Sequence, residues 1–172
     1  MKLKKGMNDL PLLNEEKYIL DAACGSRMFY YEKTCPHVYF MDSRAGTFPL
    51  TNGKTVEILP DVVASFEAIP FPSESFRVVV FDPPHLWDRG PKSNMCKWYG
   101  GLHAGWQDGI RNGFRECFRV LEKHGILLFK WSETDIKLPV VLDLCPYRPL
   151  LGTRTSAKSH FLTFIKEEDM LK

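Results

Sequence analysis

The stretch of this sequence best equipped for chemistry is Asp82-Pro83-Pro84-His85. A carboxylate is followed by two prolines and then by a flat ring. Proline has no N–H to donate and fixes φ at about −65°. The resulting turn offers only acceptors, namely the Asp82 carboxylate and the carbonyls of Asp82 and Pro83. Acceptors without competing donors suit the gripping of a planar –NH2 group. Such an amine is a poor nucleophile because its lone pair is delocalised into its ring. Two acceptors on its hydrogens favour the pyramidal geometry in which that lone pair is free. The same residues would also serve as a plain strand end with a capping Asp and proline punctuation, so the surrounding elements have to decide.

Val78-Val79-Val80-Phe81 runs into the turn without alternation, the pattern of a strand buried on both faces in a parallel sheet. Two other predicted strands carry acids near their ends: Lys17–Gly25, an apolar run passing through Asp21 into small residues, and Val38–Asp42. Between them, Ser26–Lys33 reads as one or two helical turns with Ser26 as cap. Residues 43–59 read as a hairpin or an extended excursion around Asn52-Gly53, Asp61–Phe66 as a third strand, and residues 86–106 as a long loop. Gln107–Lys123 has Ile110, Phe114, Phe118 and Leu121 at helical spacing with Gly125 beyond its end. Gly125–Trp131 reads as another buried strand, and Tyr147–Thr153 with His160–Lys166 as a closing pair around Ser156–Ser159. Strands alternating with helices, then a terminal strand pair, predict an α/β fold with a three-layer sheet. Ligands of such sheets sit outside the carboxyl ends of the strands, where Asp21, Asp42 and Asp82 are expected.

The 172 residues suit one domain, 1–172, with residues 1–16 as a leader. With 44% apolar and 13% aromatic residues a folded core is expected rather than disorder. A net charge of +2 neither demands nor excludes a polyanionic partner. Five cysteines, odd in number and without a C-x-x-C pair, argue against a disulfide framework or a zinc site and for reduced thiols in a cytoplasm. No apolar run has membrane-spanning length, and the basic start Lys2-Leu3-Lys4-Lys5 has no apolar stretch behind it to make a secretory signal. His37, His103 and His124 carry no ligand spacing and read as structural or exposed, so no metal is expected.

The turn after the first strand, Asp21-Ala22-Ala23-Cys24-Gly25, has a single glycine. Pyrophosphate binding calls for several, so that the backbone can approach the phosphates closely. A nucleoside ligand needs only one such approach. Asp42, about twenty residues on, is placed to accept from the two hydroxyls of a ribose. The pattern favours a nucleoside cofactor over a dinucleotide.

Asp21–Gly25 resembles the first motif of class I S-adenosylmethionine (SAM)-dependent methyltransferases, and Asp42 matches their ribose-binding acid. Asp82-Pro83-Pro84-His85 resembles the (D/N/S)-P-P-(Y/F/W/H) motif of the amino methyltransferases that make N6-methyladenine. Phe66–Phe81 is similar to the third-to-fourth-strand segment of that class, and Gly152–Thr155 with His160–Phe164 to its closing strand pair. The motifs occur in the family's order, about sixty residues apart, and the likeness covers most of residues 17–166. It departs at Ser65, where the class usually has an acid for the adenine amine, and at His85, more often Tyr, Phe or Trp.

The resemblance implies a Rossmann-like three-layer sandwich with a mostly parallel seven-stranded sheet and an antiparallel terminal strand. It implies SAM as cofactor, held by Asp21, Ala22, Cys24, Gly25, Met28, Phe29, Asp42, Ser65, Phe66 and Asp82. It implies catalysis by Asp82, Pro83, Pro84 and His85, with His85 stacking on the acceptor ring, and an exocyclic amine of a nucleic-acid base as acceptor, adenine N6 in DNA or RNA first. A base in a duplex would have to be flipped out.

Trp87, Trp98, Tyr99 and Trp106, interleaved with Arg89, Lys92, Lys97 and His103, make the 86–106 loop a candidate substrate-side surface. Rings beside cations suit unpaired nucleotides, and Gly100-Gly101 could hinge a lid. Lys2, Lys4 and Lys5 with Arg148, Arg154 and Lys158 are candidates for a phosphate-binding rim. No separate target-recognition domain is expected, so either recognition is undemanding, the target is structured RNA or a smaller amine, or a partner supplies specificity; a protein partner or a homodimer is open. A protein side-chain amide, a small-molecule amine, or a non-catalytic SAM-binding role as a partner subunit stay open alongside the nucleic-acid reading.

Overall fold

The computed structural model describes residues 16–90 and 92–172. Its centre is a seven-stranded sheet made of β1 (Ile19–Asp21), β2 (Val38–Asp42), β5 (Val62–Val63), β6 (Phe76–Phe81), β7 (Leu121–Ser132), β8 (Leu151–Arg154) and β9 (Ser159–Ile165). A separate antiparallel hairpin, β3 (Gly46–Pro49) with β4 (Thr55–Ile58), fills the expected position around Asn52-Gly53. The sheet order is β5-β2-β1-β6-β7-β9-β8. The first five strands in that order pair in parallel, while β9 runs antiparallel to both β7 and β8. The mostly parallel α/β sheet with an antiparallel strand near its end is thus present as the sequence implied.

The helices are α1 (Asn94–Tyr99), α2 (Trp106–Val120) and α3 (Leu138–Leu142). The apolar stripe of α2 buries Ile110, Phe114, Cys117 and Phe118 against Leu20, Val79, Phe81, Leu127, Phe129 and Trp131 of the sheet, and Val141 of α3 joins the same core. A smaller cluster on Val38 and Phe40 is completed by Cys24, Tyr30 and Cys35 from the β1–β2 connection. Among the described residues no helix is long and apolar enough to cross a membrane. All five cysteines are free thiols.

Several local expectations are corrected. Ser26–Lys33 forms turns and bends instead of helix, because the connection places Cys24 and Tyr30 against β2 and leaves no amphipathic stripe to bury. The third strand shrinks to Val62–Val63, since Phe66 leaves the sheet line and lies edge-on to Phe81, ring centroids 5.3 Å apart. Residues 94–99 of the expected loop are helical, and Trp106 belongs to α2, packed against the core. Leu121–Lys123, read as the end of the helix, already lie in β7.

Phe66 fits where it does because α2 has no side chain at Gly113. A Cβ there would stand 2.7 Å from Phe81 Cζ and 2.8 Å from Phe66 Cδ2. Overpacking of this kind costs about 1–3 kcal/mol, against a gain in helix propensity of about 1 kcal/mol for alanine. Gly113→Ala is therefore expected to lower the midpoint of denaturant unfolding, and an unchanged or higher midpoint would show that the rings yield freely.

Candidate active site

Parallel pairing puts the carboxyl ends of β1, β2 and β6 side by side, and each delivers an aspartate there. Asp21 and Asp42 end their strands, and Asp82 follows Phe81 directly. In front of them opens a cleft of about 200 Å³, whose walls include Asp21, Gly25, Asp82, Pro83, His85 and Lys130. Cys24, Met28 and Phe29 of the expected cofactor set line it as well. Ala22, Asp42, Phe66 and Pro84 line a smaller hollow that shares Asp82 with it. Ser65 lies outside both, its Oγ accepting from the Glu67 N–H at 3.2 Å.

The β1 turn is stitched to the sheet. Ala23 N–H donates to Asp21 Oδ1 (3.2 Å), Cys24 N–H to the Met41 carbonyl (2.8 Å) and Gly25 N–H to Asp42 Oδ2 (2.9 Å). Gly25 has φ +49°, in the left-handed region that favours glycine. Ser26 Oγ, in the cleft wall, is buried without a hydrogen-bond partner. Burial raises the Asp21 carboxyl to about 7, with the Asp82 and Asp42 charges adding to the rise.

Asp42 is fully engaged. Besides Gly25 it accepts from Arg44 N–H (2.9 Å), Arg44 Nε (3.0 Å) and Arg44 Nη2 (3.2 Å). The remaining guanidinium nitrogen, Nη1, donates to the Cys96 and Lys97 carbonyls in α1 at 3.3 and 3.2 Å. Arg44 thus ties the acid expected to hold a ribose to the helix carrying Trp98 and Tyr99.

Asp82 meets Lys130. The register that pairs Val80 with Leu128 and Phe81 with Phe129 brings the next residues of the two strands opposite each other. Lys130 Nζ lies 3.1 and 3.3 Å from the two Asp82 oxygens. Burial pushes Asp82 up to about 6, and the Lys130 ammonium holds it from going higher. His85 is only 6% exposed, between Tyr99 and Trp131 at centroid distances of 5.8 and 6.1 Å. Burial, together with the Lys130 charge, lowers its imidazole to about 4, so the ring is neutral at neutral pH. It lines the cleft where the sequence reading put a surface for stacking on the acceptor ring.

Gly100 ends α1 at φ +75°, and a Cβ there would approach Pro84 Cγ to 2.8 Å. The loop is therefore packed directly on the proline turn. Arg148 and Arg154 donate to the Asp169 and Ala157 carbonyls, and neither they nor Lys158 line the cleft. Lys2, Lys4 and Lys5 lie outside the described residues. Arg44 and Lys130 do not stand out in the sequence. For Lys130 a signal exists, a lone cation in the apolar run Ile126–Trp131.

No protein-family model matches the sequence, and no curated protein matches it either. Solved structures match it in fold. The chain is similar to a protein from Pyrococcus horikoshii, with a TM-score of 0.55 and 13% identity over 87% of this chain and 81% of that one. It is similar to a TehB-like SAM-dependent methyltransferase from Corynebacterium glutamicum, with a TM-score of 0.54 and 12% identity over 88% and 81% of the two chains. A geranyl diphosphate methyltransferase, solved in complex with GPP and sinefungin, matches with a TM-score of 0.54 and 9% identity over 92% and 74%. At such identities the likeness is one of fold: the α/β Rossmann-like sheet of these methyltransferases.

Proposed function

We propose that this chain is a SAM-dependent N-methyltransferase whose acceptor is an exocyclic amine of a nucleic-acid base, adenine N6 in DNA or RNA first. The observation that carries the reading is the placement of Asp82 and Pro83 in the same cleft wall as Asp21 and Gly25. The Asp82 carboxylate, with the Lys130 ammonium on it, and the Pro83 carbonyl there face a turn suited to a nucleoside.

The residues present fit the cofactor. Ser26 Oγ is a buried polar atom awaiting a partner, Asp21 supplies an acid for an ammonium group, and the Gly25 turn lets a ligand lie close to backbone. When bound, SAM would supply a methyl group already activated on a sulfonium. The chain then has to align the acceptor and support developing charge. Asp82 Oδ and the Pro83 carbonyl would accept from the two amine hydrogens, freeing the nitrogen lone pair. As the nitrogen gains its methyl group it becomes cationic, and one of its protons passes to the Asp82 carboxylate or to water. His85, neutral and packed on Trp131, would wall the flat acceptor.

A labelled-methyl transfer assay over single-stranded and duplex DNA and RNA tests the reading. Label in a polymer, released as methyladenine on digestion, is expected. Label confined to peptides or small amines would move the acceptor to those classes. Protein that binds SAM yet labels no polymer would rule out the nucleic-acid substrate.

A further inference from the structure

We propose that Lys130 is a positioning residue that keeps Asp82 an anionic acceptor. This rests on the reading of Asp82 as the amine acceptor. The two residues reach the cleft from adjacent parallel strands, one position beyond the Phe81–Phe129 pair. One ammonium spans both carboxylate oxygens, at 3.1 and 3.3 Å. It is held on another side by the Phe29 ring, whose centroid lies 4.9 Å from Nζ.

The pair is largely shielded, with side chains 15% and 17% exposed. In such a setting an unpaired carboxylate takes up a proton, and a protonated Asp82 would present a donor where the amine requires acceptors. The other charged or titratable groups around the cleft do not do this work. Asp21 from β1 is a carboxyl raised to about 7 by burial and supplies no positive charge. Arg44 is committed to Asp42 and the α1 carbonyls. His85 is neutral at neutral pH, and Tyr99 faces it from α1. Lys130 is the cation in hydrogen-bonding contact with Asp82 among the described residues.

The sign of the pH dependence follows. Asp82 is raised by burial and lowered by Lys130, so removing the lysine charge raises it further. The carboxylate form is then lost at a higher pH.

The test uses the full chain without substrate first. Side-chain carboxyl NMR titration should place the Asp82 midpoint near 6 in the wild type and higher by about 1–3 in pH in Lys130→Met. Asp21, which is raised in part by the Asp82 charge, should not rise with it and should fall as Asp82 becomes neutral. Lys130→Arg should keep the wild-type midpoint. Lys130→Gln, which retains a donor without charge, should raise it by less than Met does, and serves if the Met variant does not fold. With a methyl acceptor in hand, the acid limb of the rate profile should move with the midpoint. At pH values below the midpoint, the rate should fall about tenfold for each pH unit by which the midpoint has risen. At high pH it should recover.

An Asp82 midpoint unmoved in both neutral variants overturns the proposal. So does a rate loss that high pH does not restore, since that would assign Lys130 a direct or merely structural part. Because the titration needs no substrate, failure to find an acceptor would count against the proposed function and leave this inference to stand or fall on the NMR midpoint.

Discussion

Asp82→Asn is expected to lower methyl transfer by about 10²–10³-fold, the usual loss when one electrostatic partner of the reacting group is removed. Cofactor affinity should fall far less. The substitution preserves the shape of the turn and one carbonyl acceptor, but it removes the charge that balances cationic nitrogen. It also puts an NH2 donor where an acceptor stood. Asp21, the acid proposed to hold the cofactor, remains in the cleft wall, which is why binding should survive better than turnover. Initial rates with labelled methyl donor, read beside calorimetric binding, separate the two quantities. Turnover equal to wild type would take Asp82 out of the chemistry. Asparagine is preferred to alanine because alanine would strand the Lys130 ammonium in a largely shielded position, adding a folding defect of its own.

Trp131→Ala should produce the largest loss of stability, about 3–5 kcal/mol. The ring is fully buried, lies nearly parallel to Phe129 at 6.2 Å, and donates Nε1–H to the Ile136 carbonyl at 2.9 Å. Deletion leaves a cavity behind β7 and an unpaired carbonyl just before α3. Against a typical domain stability of about 5–15 kcal/mol this is a large share, and for a chain of this size it corresponds to a fall of about 6–20 °C in Tm. Trp131→Phe should retain most of the packing. Since Trp131 also backs His85, the alanine variant should lose activity below its own Tm, as the cleft wall loosens. A Tm within about 2 °C of wild type, at about 2–4 °C per kcal/mol, would contradict the packing described.

The sequence disclosed the parts of the site that local pattern determines. Val78–Phe81 is an unbroken apolar run and could hardly be anything but a central strand. Asp21, Asp42 and Asp82 follow apolar segments, so their place at strand ends is readable without knowledge of their proximity. What stays hidden depends on register and on distant packing. Lys130 lies 48 residues from its partner in sequence, and only the β6–β7 pairing sets it opposite Asp82. Arg44 looks like a turn residue until the β2 end and α1 are brought to either side of it. The six residues of α1 are too few to show a helical period. Ser26 carries a capping signal with no amphipathic segment behind it, and the connection is instead shaped by burying Cys24 and Tyr30. Val62–Val63 is an edge strand shorter than its sequence suggests, because Phe66 looks like strand and serves the space above Gly113.

The saturation of Asp42 has a thermodynamic consequence. Its lone pairs already receive the Gly25 amide, the Arg44 amide and two arms of the guanidinium, so a diol arriving there can only trade places with bonds that exist. The free energy released is then a difference between two sets of partners, governed by how well the displaced guanidinium is accommodated at the α1 carbonyls and in water. A ribose held at Asp42 would displace the guanidinium's Nε and Nη2 from the carboxylate while Nη1 keeps its bonds to the α1 carbonyls.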